Sequence, residues 1–450
     1  MEVDRRRIVG QIGLAALLAG VPGPTPAVAA AARETALVPA LDPQSTRDQS
    51  GPIREAIAAA AGQGRPVLLP PGRFVVRGGL QLVAGSTLVG AHGRTYLVLE
   101  GDGPLIEAEN ADGLVIEGIA LEAGGGPMGR NGGEGLLTLR GGSDVRLTGL
   151  TVSGSGRHGL ALERVSGRVS GCRILDSAET GLFSLDARGL DISHNEIARS
   201  GNNGIQVWRS AQGEDGTTVT LNRIHSIGAR NGGTGENGNG INVFRAGSVL
   251  VSGNRITDCA FSAIRANSAS DCQMLGNSCE RLGEVALYAE FAFEGVVISG
   301  NLVDRAAQGI SVTNFNEGGR LAVVSGNLVR NLFTHASQED PRGIGISVEA
   351  DAMVSGNVVE SAPAVGIMVG WHEWKRDCAL TGNLVRKCAV GIGLSAALEG
   401  GLVFVSQNMI AGAVNGAIRA MEGNEPVGPD LARASAESFP NLAILANVAS

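Results

Sequence analysis

Apolar residues recur along most of this chain in short alternating runs. From about residue 80 to residue 421, runs of three to five residues alternate Val, Ile or Leu with a variable residue, and this period of two predicts half-buried β-strands. Many runs end in the same phrase, an aliphatic residue followed by Ser or Thr, Gly and Asn, at 251–254, 298–301, 324–327, 354–357 and 380–383. A second apolar pair follows each phrase, so each copy predicts a strand, a bend at the Gly and another strand.

The Asn of this phrase returns at a nearly constant interval. It occurs at 195, 222, 254, 277, 301, 327, 357, 383 and 408, with Cys172 where an Asn is expected, and successive copies are 23 to 32 residues apart. A fixed period with variable insertions predicts stacked repeats whose insertions are loops. We expect the Asn side chains to stack in a hydrogen-bonded ladder.

A third run in each unit begins with Gly and an aliphatic residue, as in Gly204-Ile205 and Gly309-Ile310. Three short strands per unit and no helical segment predict an all-β fold, a right-handed parallel β-helix of about 11 to 12 coils. A leucine-rich repeat is the alternative, but only residues 190–197 fit its pattern.

The two ends of the chain differ from the repeats. Residues 1–29 have three arginines at 5–7, thirteen mostly apolar residues at 8–20 and Ala-Val-Ala at 27–29, which predicts an export signal too short to span a membrane. Residues 30–79 are predicted as an N-terminal cap, with a helix at 52–61 capped by Ser50 and two strands around a Pro-Gly turn in 67–76. The β-helix repeats are placed at 80–421 and a C-terminal cap at 422–450.

The predicted helix and the motif Leu69-Pro70-Pro71-Gly72-Arg73-Phe74 resemble the start of pectate-lyase-like β-helix proteins, where this segment caps the solenoid. The arginines of the leader resemble a twin-arginine signal, and leader and repeats together resemble a group of exported bacterial repeat proteins. These resemblances imply the twin-arginine export machinery as a partner, a periplasmic or secreted location, no membrane span in the mature chain, and a polysaccharide as substrate or partner.

The net charge limits which ligands the chain can bind, and the cysteine positions limit which disulfides it can form. The chain has a formal net charge of −8, which argues against nucleic acid or an anionic membrane as the main ligand. Cys272 and Cys378 lie five residues before a ladder Asn, and Cys259 and Cys388 lie five after one. We interpret the cysteines as small buried side chains in a stack, and a disulfide between Cys272 and Cys279 stays open.

The variable residues of the third run are expected to point outward and to align between coils in one row. Aromatic rings stack on sugars, and arginine pairs with carboxylates. The row therefore predicts a groove for an acidic polysaccharide, and the alternative is an ordinary solvated face. The predicted substrate-binding residues are Gln206, Trp208, Arg209, Asn242, Phe244, Arg245 and Asn267.

The same row offers candidate catalytic groups. A uronate lyase or epimerase needs a cation for the sugar carboxylate and a group that moves the neighbouring proton, so we predict Arg265 as the cation and Tyr288 or Glu290 in proton transfer. A glycoside hydrolase, which needs two carboxylates, and a non-catalytic glycan-binding or structural solenoid are the alternatives. The hydrolase pairs are Glu290 with Glu349 and Glu163 with Asp186.

Three further segments have open interpretations. No cofactor is predicted, although residues 232–239 loosely resemble a single calcium-binding Gly-rich repeat. The insertion at 371–376 is either a rim of the groove or a surface loop packed by its own tryptophans. His158 is interpreted as a turn residue.

Overall fold

Each coil of the chain supplies one strand to each of three parallel sheets, which we number in chain order. The computed structural model describes residues 36–61, 63–124, 134–233, 235–334 and 342–450, so the predicted leader at 1–29 lies outside the described residues. Residues Leu37–Ser450 form one compact unit. Within it the strands stack in about 14 turns, which confirms the predicted parallel β-helix.

The first sheet carries the phrase that ends in Gly-Asn. Sheet 1 contains β1 (Val67–Leu68), β4 (Thr87–Val89), β7 (Val115–Glu117), the second part of β9 (Gly135–Thr148), the second part of β11 (His158–Ser170), β14 (Leu190–Ser193), β17 (Thr218–Thr220), β20 (Leu250–Ser252), β23 (Cys272–Leu275), β25 (Glu294–Ser299), β27 (Arg320–Ser325), β30 (Ala352–Ser355), β33 (Cys378–Thr381), β36 (Val403–Ser406) and β40 (Leu442–Leu445).

The second sheet follows the Asn turn. Sheet 2 contains β2 (Gly72–Val76), β5 (Thr95–Leu99), β8 (Ala120–Ala123), β10 (Thr151–Ser153), β12 (Arg173–Leu175), β15 (Glu196–Ala198), β18 (Arg223–Ile227), β21 (Arg255–Cys259), the first part of β24 (Ser278–Glu290), the first part of β26 (Leu302–Val312), β28 (Leu328–Arg330), β31 (Val358–Glu360), β34 (Leu384–Arg386), β37 (Met409–Ala411) and β41 (Val448–Ala449).

The third sheet carries the runs that begin with Gly and an aliphatic residue. Sheet 3 contains β3 (Leu80–Leu82), β6 (Ile106–Glu109), the first parts of β9 and β11, β13 (Thr180–Leu185), β16 (Asn203–Glu214), β19 (Asn239–Gly247), β22 (Ile264–Asn267), the second parts of β24 and β26, β29 (Ile344–Val348), β32 (Val365–Val369), β35 (Val390–Ser395) and β38 (Ile418–Glu422). An antiparallel strand, β39 (Glu425–Asp430), pairs with β38, and a 3₁₀ turn spans Phe315–Glu317.

Both ends of the solenoid extend further than the sequence predicts. The segment predicted as two strands around a Pro-Gly turn supplies β1 to sheet 1 and β2 to sheet 2, and each strand pairs with the next coil rather than with the other. The predicted C-terminal cap supplies β40 and β41 to the last coil. The prediction of 11 to 12 coils was therefore too low, because both segments predicted as caps belong partly to the solenoid.

A single helix, α1 (Ser50–Ala61), covers the first coil among the described residues. Ile53 and Ile57 are buried on its inner face and join the core of the solenoid. The helix begins two residues before the predicted start at 52. Asp48 caps it, since its carboxylate accepts hydrogen bonds from both the N–H and the hydroxyl of Ser50.

The predicted asparagine ladder holds the turn between sheets 1 and 2. Each ladder Asn donates its Nδ2 to the Oδ1 of the Asn on the next coil at 2.9 to 3.0 Å, from Asn195 up to Asn447. Cys172 occupies the position below the first Asn of the ladder, and its backbone N–H donates to Asn195 Oδ1 at 2.9 Å. The residue before each Asn has positive φ, as at Gly253 with 65°, so a Gly there bends the chain without strain.

All six cysteines are buried and unbridged, as the stack interpretation predicts. Cys272 lies on sheet 1 and Cys279 on sheet 2, so the disulfide left open between them does not form. Burial raises the pKa of the Cys279 thiol to about 12. Among the described helices, none has the length and apolar character of a membrane span.

Candidate functional site

The outward side chains of sheet 3 form two parallel columns, and the predicted row lies in them. Strand register defines the inner column as Thr138, Ala161, Phe183, Gln206, Asn242, Arg265, Tyr288, Ser311, Ser347 and Met368. The outer column contains Arg140, Glu163, Leu185, Trp208, Phe244, Asn267 and Glu290. The structure therefore brings the predicted site residues onto one face.

Aromatic side chains form a continuous lower part of this face. His158 stacks on Phe183 with ring centroids 4.8 Å apart, Phe183 meets Trp208 edge to face at 5.9 Å, and Trp208 meets Phe244 at 5.5 Å. The Arg245 guanidinium lies 4.7 Å from the centre of the Phe244 ring. Trp208 and Phe244 are half-buried, so both keep surface that a sugar ring can contact.

The predicted polar ligands of this lower part bind mostly to the protein itself. Gln206 accepts a hydrogen bond from the Thr180 hydroxyl at 2.6 Å, and Asn242 accepts one from Trp208 Nε1 at 2.8 Å. Arg209 donates to the carbonyl of Ala211 and Arg245 to that of Ser210. These side chains therefore hold neighbouring groups of the protein in place, and their hydrogen bonds are made within the protein rather than offered to a ligand.

The Gly-rich segment at 235–239 covers the centre of the face. The carbonyl of Gly235 accepts hydrogen bonds from the amides of Asn239 and Asn242, at 3.0 and 2.9 Å. A Cβ on Gly235 would lie 2.6 Å from the Arg265 guanidinium, so only glycine allows this approach. Within the described residues, no group of acidic, His or Cys side chains is arranged to hold a metal.

Arg265 and Glu290 form a buried pair beneath this segment. Arg265 donates Nε and Nη2 to the two Glu290 oxygens at 2.7 and 2.8 Å, and Nη1 to Glu284 at 3.2 Å. Asn267 donates to Glu290 at 2.8 Å. Burial disfavours the charge on Arg265, yet the contacts with Glu290 and Glu284 raise its pKa. A substrate carboxylate would have to displace Glu290 to reach the predicted cation.

A polar cavity of about 300 Å³ opens on the same face just above this pair. Tyr288, Ser311 and Ser347 of the inner column line it, together with Glu349 and Arg342. Neither Arg265 nor Glu290 is among its lining residues. Higher up, the face becomes apolar through a buried cluster of Ile344, Val365, Met368, Val390 and Met421.

Glu349 is the titratable group whose surroundings suit proton transfer. It is 8% exposed, and burial raises its pKa to about 7, while the Phe315 N–H donates to Oε2 at 2.7 Å. Both protonation states are therefore populated near neutral pH. Burial and the charge of Glu290 raise the pKa of Tyr288 to about 12, so the phenol stays protonated. Arg342 pairs with Glu284 at 2.9 Å.

The insertion at 371–376 forms the rim of the cavity. Trp371 lines the cavity, and backbone hydrogen bonds of 3.2 and 3.0 Å join Trp371 to Trp374. Lys375 is fully buried and donates Nζ to the carbonyls of Ser395 and Ala397 at 2.6 and 2.5 Å. Trp374 packs edge to face on Phe315 at 6.1 Å, the residue whose N–H binds Glu349. Of the two interpretations of this insertion, the rim is the one that the structure supports.

A larger but shallower depression of about 1160 Å³ lies on sheet 1. Its floor is apolar, with Val323 42% and Met353 40% exposed. Asp351 at its edge pairs with Arg320 at 2.8 Å and with Arg376 at 2.6 Å. We place the site in the smaller cavity on sheet 3 because it combines hydroxyl groups with a carboxyl group that titrates near neutral pH.

Strand register shows the alignment of the predicted row, whereas the roles of its residues stay predictions. Glu349 was considered only as the partner of Glu290 in hydrolysis, and Arg342 and Trp371 were not singled out as site residues. The available signal for Glu349 was its place two residues after Ser347, in phase with the outward positions of the lower coils. The repeat register places Arg265 and Glu290 on adjacent coils, and the structure adds the bidentate contact that joins the two side chains.

Comparison with known proteins identifies the family. The family model described as "Right handed beta helix region" matches residues 103–224, 135–329 and 210–389, which together cover more than half of the chain. The chain belongs to the right-handed β-helix family. No curated protein matches the sequence.

Two solved structures illustrate the shared fold, and a third is similar with a lower TM-score. The catalytic unit of a GH87 α-1,3-glucanase from Streptomyces thermodiastaticus has a TM-score of 0.52 at 15% identity, covering 92% of this chain and 68% of that one. PfbA, a surface adhesin of Streptococcus pneumoniae, has a TM-score of 0.50 at 14% identity, covering 88% and 95%. A mannuronan C-5 epimerase A-module from Azotobacter vinelandii has a TM-score of 0.45 at 14% identity, covering 93% and 98%. These identities show a common fold alone.

Proposed function

We propose that this protein acts on an acidic polysaccharide outside the cytoplasm, by moving the proton next to a uronate carboxylate in the sheet 3 cavity. The observation that carries the proposal is Glu349, a buried carboxyl group whose pKa is raised to about 7 in a polar cavity. The predicted export signal supports the location. The fold is compatible with this role, since the β-helix proteins compared above include one named a glucanase and one named a surface adhesin.

Each cavity group has a role set by its charge state. Ionised Glu349 accepts the proton from C5 of the uronate. The positive charge of Arg342, which also pairs with Glu284, stabilises the sugar carboxylate as that proton leaves. In β-elimination the C4–O4 bond breaks, neutral Tyr288 gives its proton to the leaving oxygen, and an unsaturated uronate remains. In epimerisation Tyr288 donates its own proton to C5 from the opposite side, and Glu349 keeps the proton that it removed. Arg265, predicted as catalytic, lies 4.8 Å from the centre of the Tyr288 ring and is itself held by Glu290, so the pair positions the phenol from below.

The aromatic rings extend the site along the solenoid axis. Trp208 lies about five coils below Glu349, roughly 24 Å at the spacing of parallel strands. Trp208 and Phe244 are therefore placed to stack on sugar units remote from the reacting one. A long polysaccharide lying along sheet 3 can contact the rings and the cavity at once, which makes the chain length of the substrate part of its recognition.

Hydrolysis fits the cavity less well than proton abstraction. Inverting and retaining glycosidases both use two carboxyl groups at a defined separation. Among the described lining residues of the cavity, Glu349 is the single carboxylic acid. Glu290, its predicted partner, is 1% exposed and bound by Arg265 and Asn267.

Glycan binding without turnover is the second candidate. It is favoured by the aromatic rings of the lower face, which have contact surface for sugars, and by His158 beside them, which burial keeps neutral by lowering its pKa to about 3. Under this alternative, Trp208→Ala and Phe244→Ala weaken glycan binding, and Glu349→Gln has little effect.

The test is incubation of the purified protein with uronate-containing and neutral polysaccharides, following unsaturated products, new reducing ends and the C5 configuration of the uronate units in parallel. We expect unsaturated or epimerised product from a uronate polymer, lost in Glu349→Gln and retained in Arg386→Gln, a control on the outer face of sheet 2. New reducing ends without unsaturation would instead establish a hydrolase. Binding of one glycan without any product would establish the second candidate.

A further inference from the structure

Two arginines are stacked on the outer face of sheet 2, away from the cavity. Arg223 of β18 and Arg255 of β21 are register partners on adjacent coils, which places their backbones about 4.8 Å apart. Both side chains are exposed. Like charges directly opposite each other on a sheet are destabilising, so this arrangement needs a compensating negative charge.

The nearest negative charge is Glu196, the register partner of Arg223 on the coil below, and it is shared with Arg173. No ion pair or side-chain hydrogen bond joins Arg223 or Arg255 to another described residue. The nearby acids are already engaged: Glu196 binds Arg173 at 2.9 Å and Asp258 binds Arg281 at 2.6 Å. The contact with Arg173, and to a smaller extent that with His225, lowers the pKa of Glu196.

A small cavity brings further donors to the two arginines. It has a volume of about 240 Å³ and is lined by Arg223, Arg255, His225, Thr257 and Glu196. The Thr257 hydroxyl, which also contacts the Asp258 carboxylate, adds a polar group to the lining. His225 has Glu196 3.7 Å from Nε2 and Ser226 3.3 Å from Nδ1. The lining thus combines two cationic forks with a hydroxyl group, the donor set that suits a multi-oxygen anion.

We propose that Arg223 and Arg255 form an oxyanion site that binds a sulfate, phosphate or carboxylate group. The group can come from a free ion or from a substituent on a glycan chain. Each guanidinium offers two parallel N–H donors to two oxygens of one anion, and the bound charge removes the repulsion between the arginines. The site lies on sheet 2 and does not depend on the function proposed for sheet 3.

Calorimetric titration and thermal unfolding with sulfate, phosphate and galacturonate test the proposal. Total ionic strength is held low and constant with sodium chloride, because salt screens exposed charges. We expect saturable binding and a rise in Tm for the wild-type chain. Arg223→Gln and Arg255→Gln are expected to bind about tenfold more weakly, and Arg386→Gln, at a paired arginine elsewhere on sheet 2, is expected to bind normally.

Each variant also has a ligand-free readout that does not depend on finding the correct anion. Because either substitution removes the repulsion, both variants should melt no lower than the wild-type chain in sodium chloride alone. Equal anion effects on all four proteins would overturn the proposal, as would the absence of saturable binding. If a sulfated or uronate oligosaccharide binds about tenfold more tightly than the free ion, the natural source is a glycan; equal affinity indicates a free ion.

Discussion

Removing one rung from the middle of the asparagine ladder should cost far more stability than its single side chain suggests. Asn301 is 1% exposed, and its side chain donates to Met274 O at 2.8 Å and Asn327 Oδ1 at 2.9 Å. It accepts from the N–H and the Nδ2 of Asn277 at 2.8 and 3.0 Å. Asn301→Ala removes all four hydrogen bonds.

The size of the effect follows from which groups lose their only partner. Asn277 Nδ2 keeps Val251 O, and Asn327 Oδ1 keeps the N–H of residue 301. The N–H of Asn277 loses the partner that the Asn ladder provides, whereas the carbonyl of Met274, a residue of the paired strand β23, loses a side-chain donor. At about 2 kcal/mol for the buried N–H left without a partner and about 1 kcal/mol for the lost hydrogen bond to Met274, we expect Asn301→Ala to lower the free energy of unfolding by about 3 kcal/mol.

Equilibrium unfolding in urea, followed by far-UV circular dichroism, measures this loss. Asn447→Ala is the matched control, because Asn447 ends the ladder and is only partly buried; water can replace its bonds, and we expect a loss of about 1 kcal/mol. The slope against urea must be compared as well, since a solenoid can unfold in parts. Equal losses for the two variants would refute the idea that the ladder stabilises the coil interior.

Three further predictions concern single side chains. Cys172→Asn should raise the free energy of unfolding by about 1 kcal/mol in the same urea assay. An amide at this position can donate to the carbonyl of Leu147, which the Cys172 thiol now contacts at 3.6 Å. Unchanged stability would show that an Asn side chain does not fit the turn at position 172. The pKa of Glu349 is about 7 in the folded chain against an ordinary 4.5, so between these pH values the folded chain holds a proton that the unfolded chain releases. The free energy of unfolding should therefore fall by up to about 1.4 kcal/mol per pH unit as pH rises from 4.5 to 7. Glu349→Gln should remove this dependence in thermal unfolding, and an unchanged pH dependence would contradict the raised pKa. Lys375→Met should loosen the Trp371 rim and cost about 1 to 2 kcal/mol, because the carbonyl of Ser395 loses the Lys375 donor while that of Ala397 keeps the Asn441 amide. Near-UV circular dichroism would report the loss of fixed tryptophan packing, and a spectrum identical to wild type would argue against Lys375 as the anchor.

The solenoid itself could be predicted because its information is local and repeated. A Gly that bends the chain and an Asn that stacks on the next Asn recur in every regular coil, so each copy supports the same interpretation. The first and last coils of the solenoid lack these repeated residues. Pro70 and Pro71 resemble a hairpin turn, yet β1 and β2 each gain their hydrogen bonds from the following coil, and only the stacked structure shows this.

The sequence predicts which face of the solenoid carries the candidate site, but not which of its residues can carry out proton transfer. Strand alternation and repeat register place Trp208, Phe244, Arg265 and Tyr288 on one side of sheet 3. Contacts between residues far apart in sequence decide which charged side chains can still bind a ligand. Gly235 leaves room for the Arg265 guanidinium below it, and Arg265 donates hydrogen bonds to Glu290. The raised pKa of Glu349 comes from burial in the upper cavity, which no single coil encodes.

The most direct test of the proposed chemistry is solvent deuterium incorporation at C5 of a uronate polymer, followed by NMR in deuterated buffer. Lyase and epimerase both begin by removing that proton, so the measurement covers either outcome. The account predicts exchange or elimination by the wild-type chain, rising through pH 7 as Glu349 ionises, and its loss in Glu349→Gln with glycan affinity kept. Neither exchange nor unsaturated product with any uronate polymer, or undiminished exchange in Glu349→Gln, would contradict it.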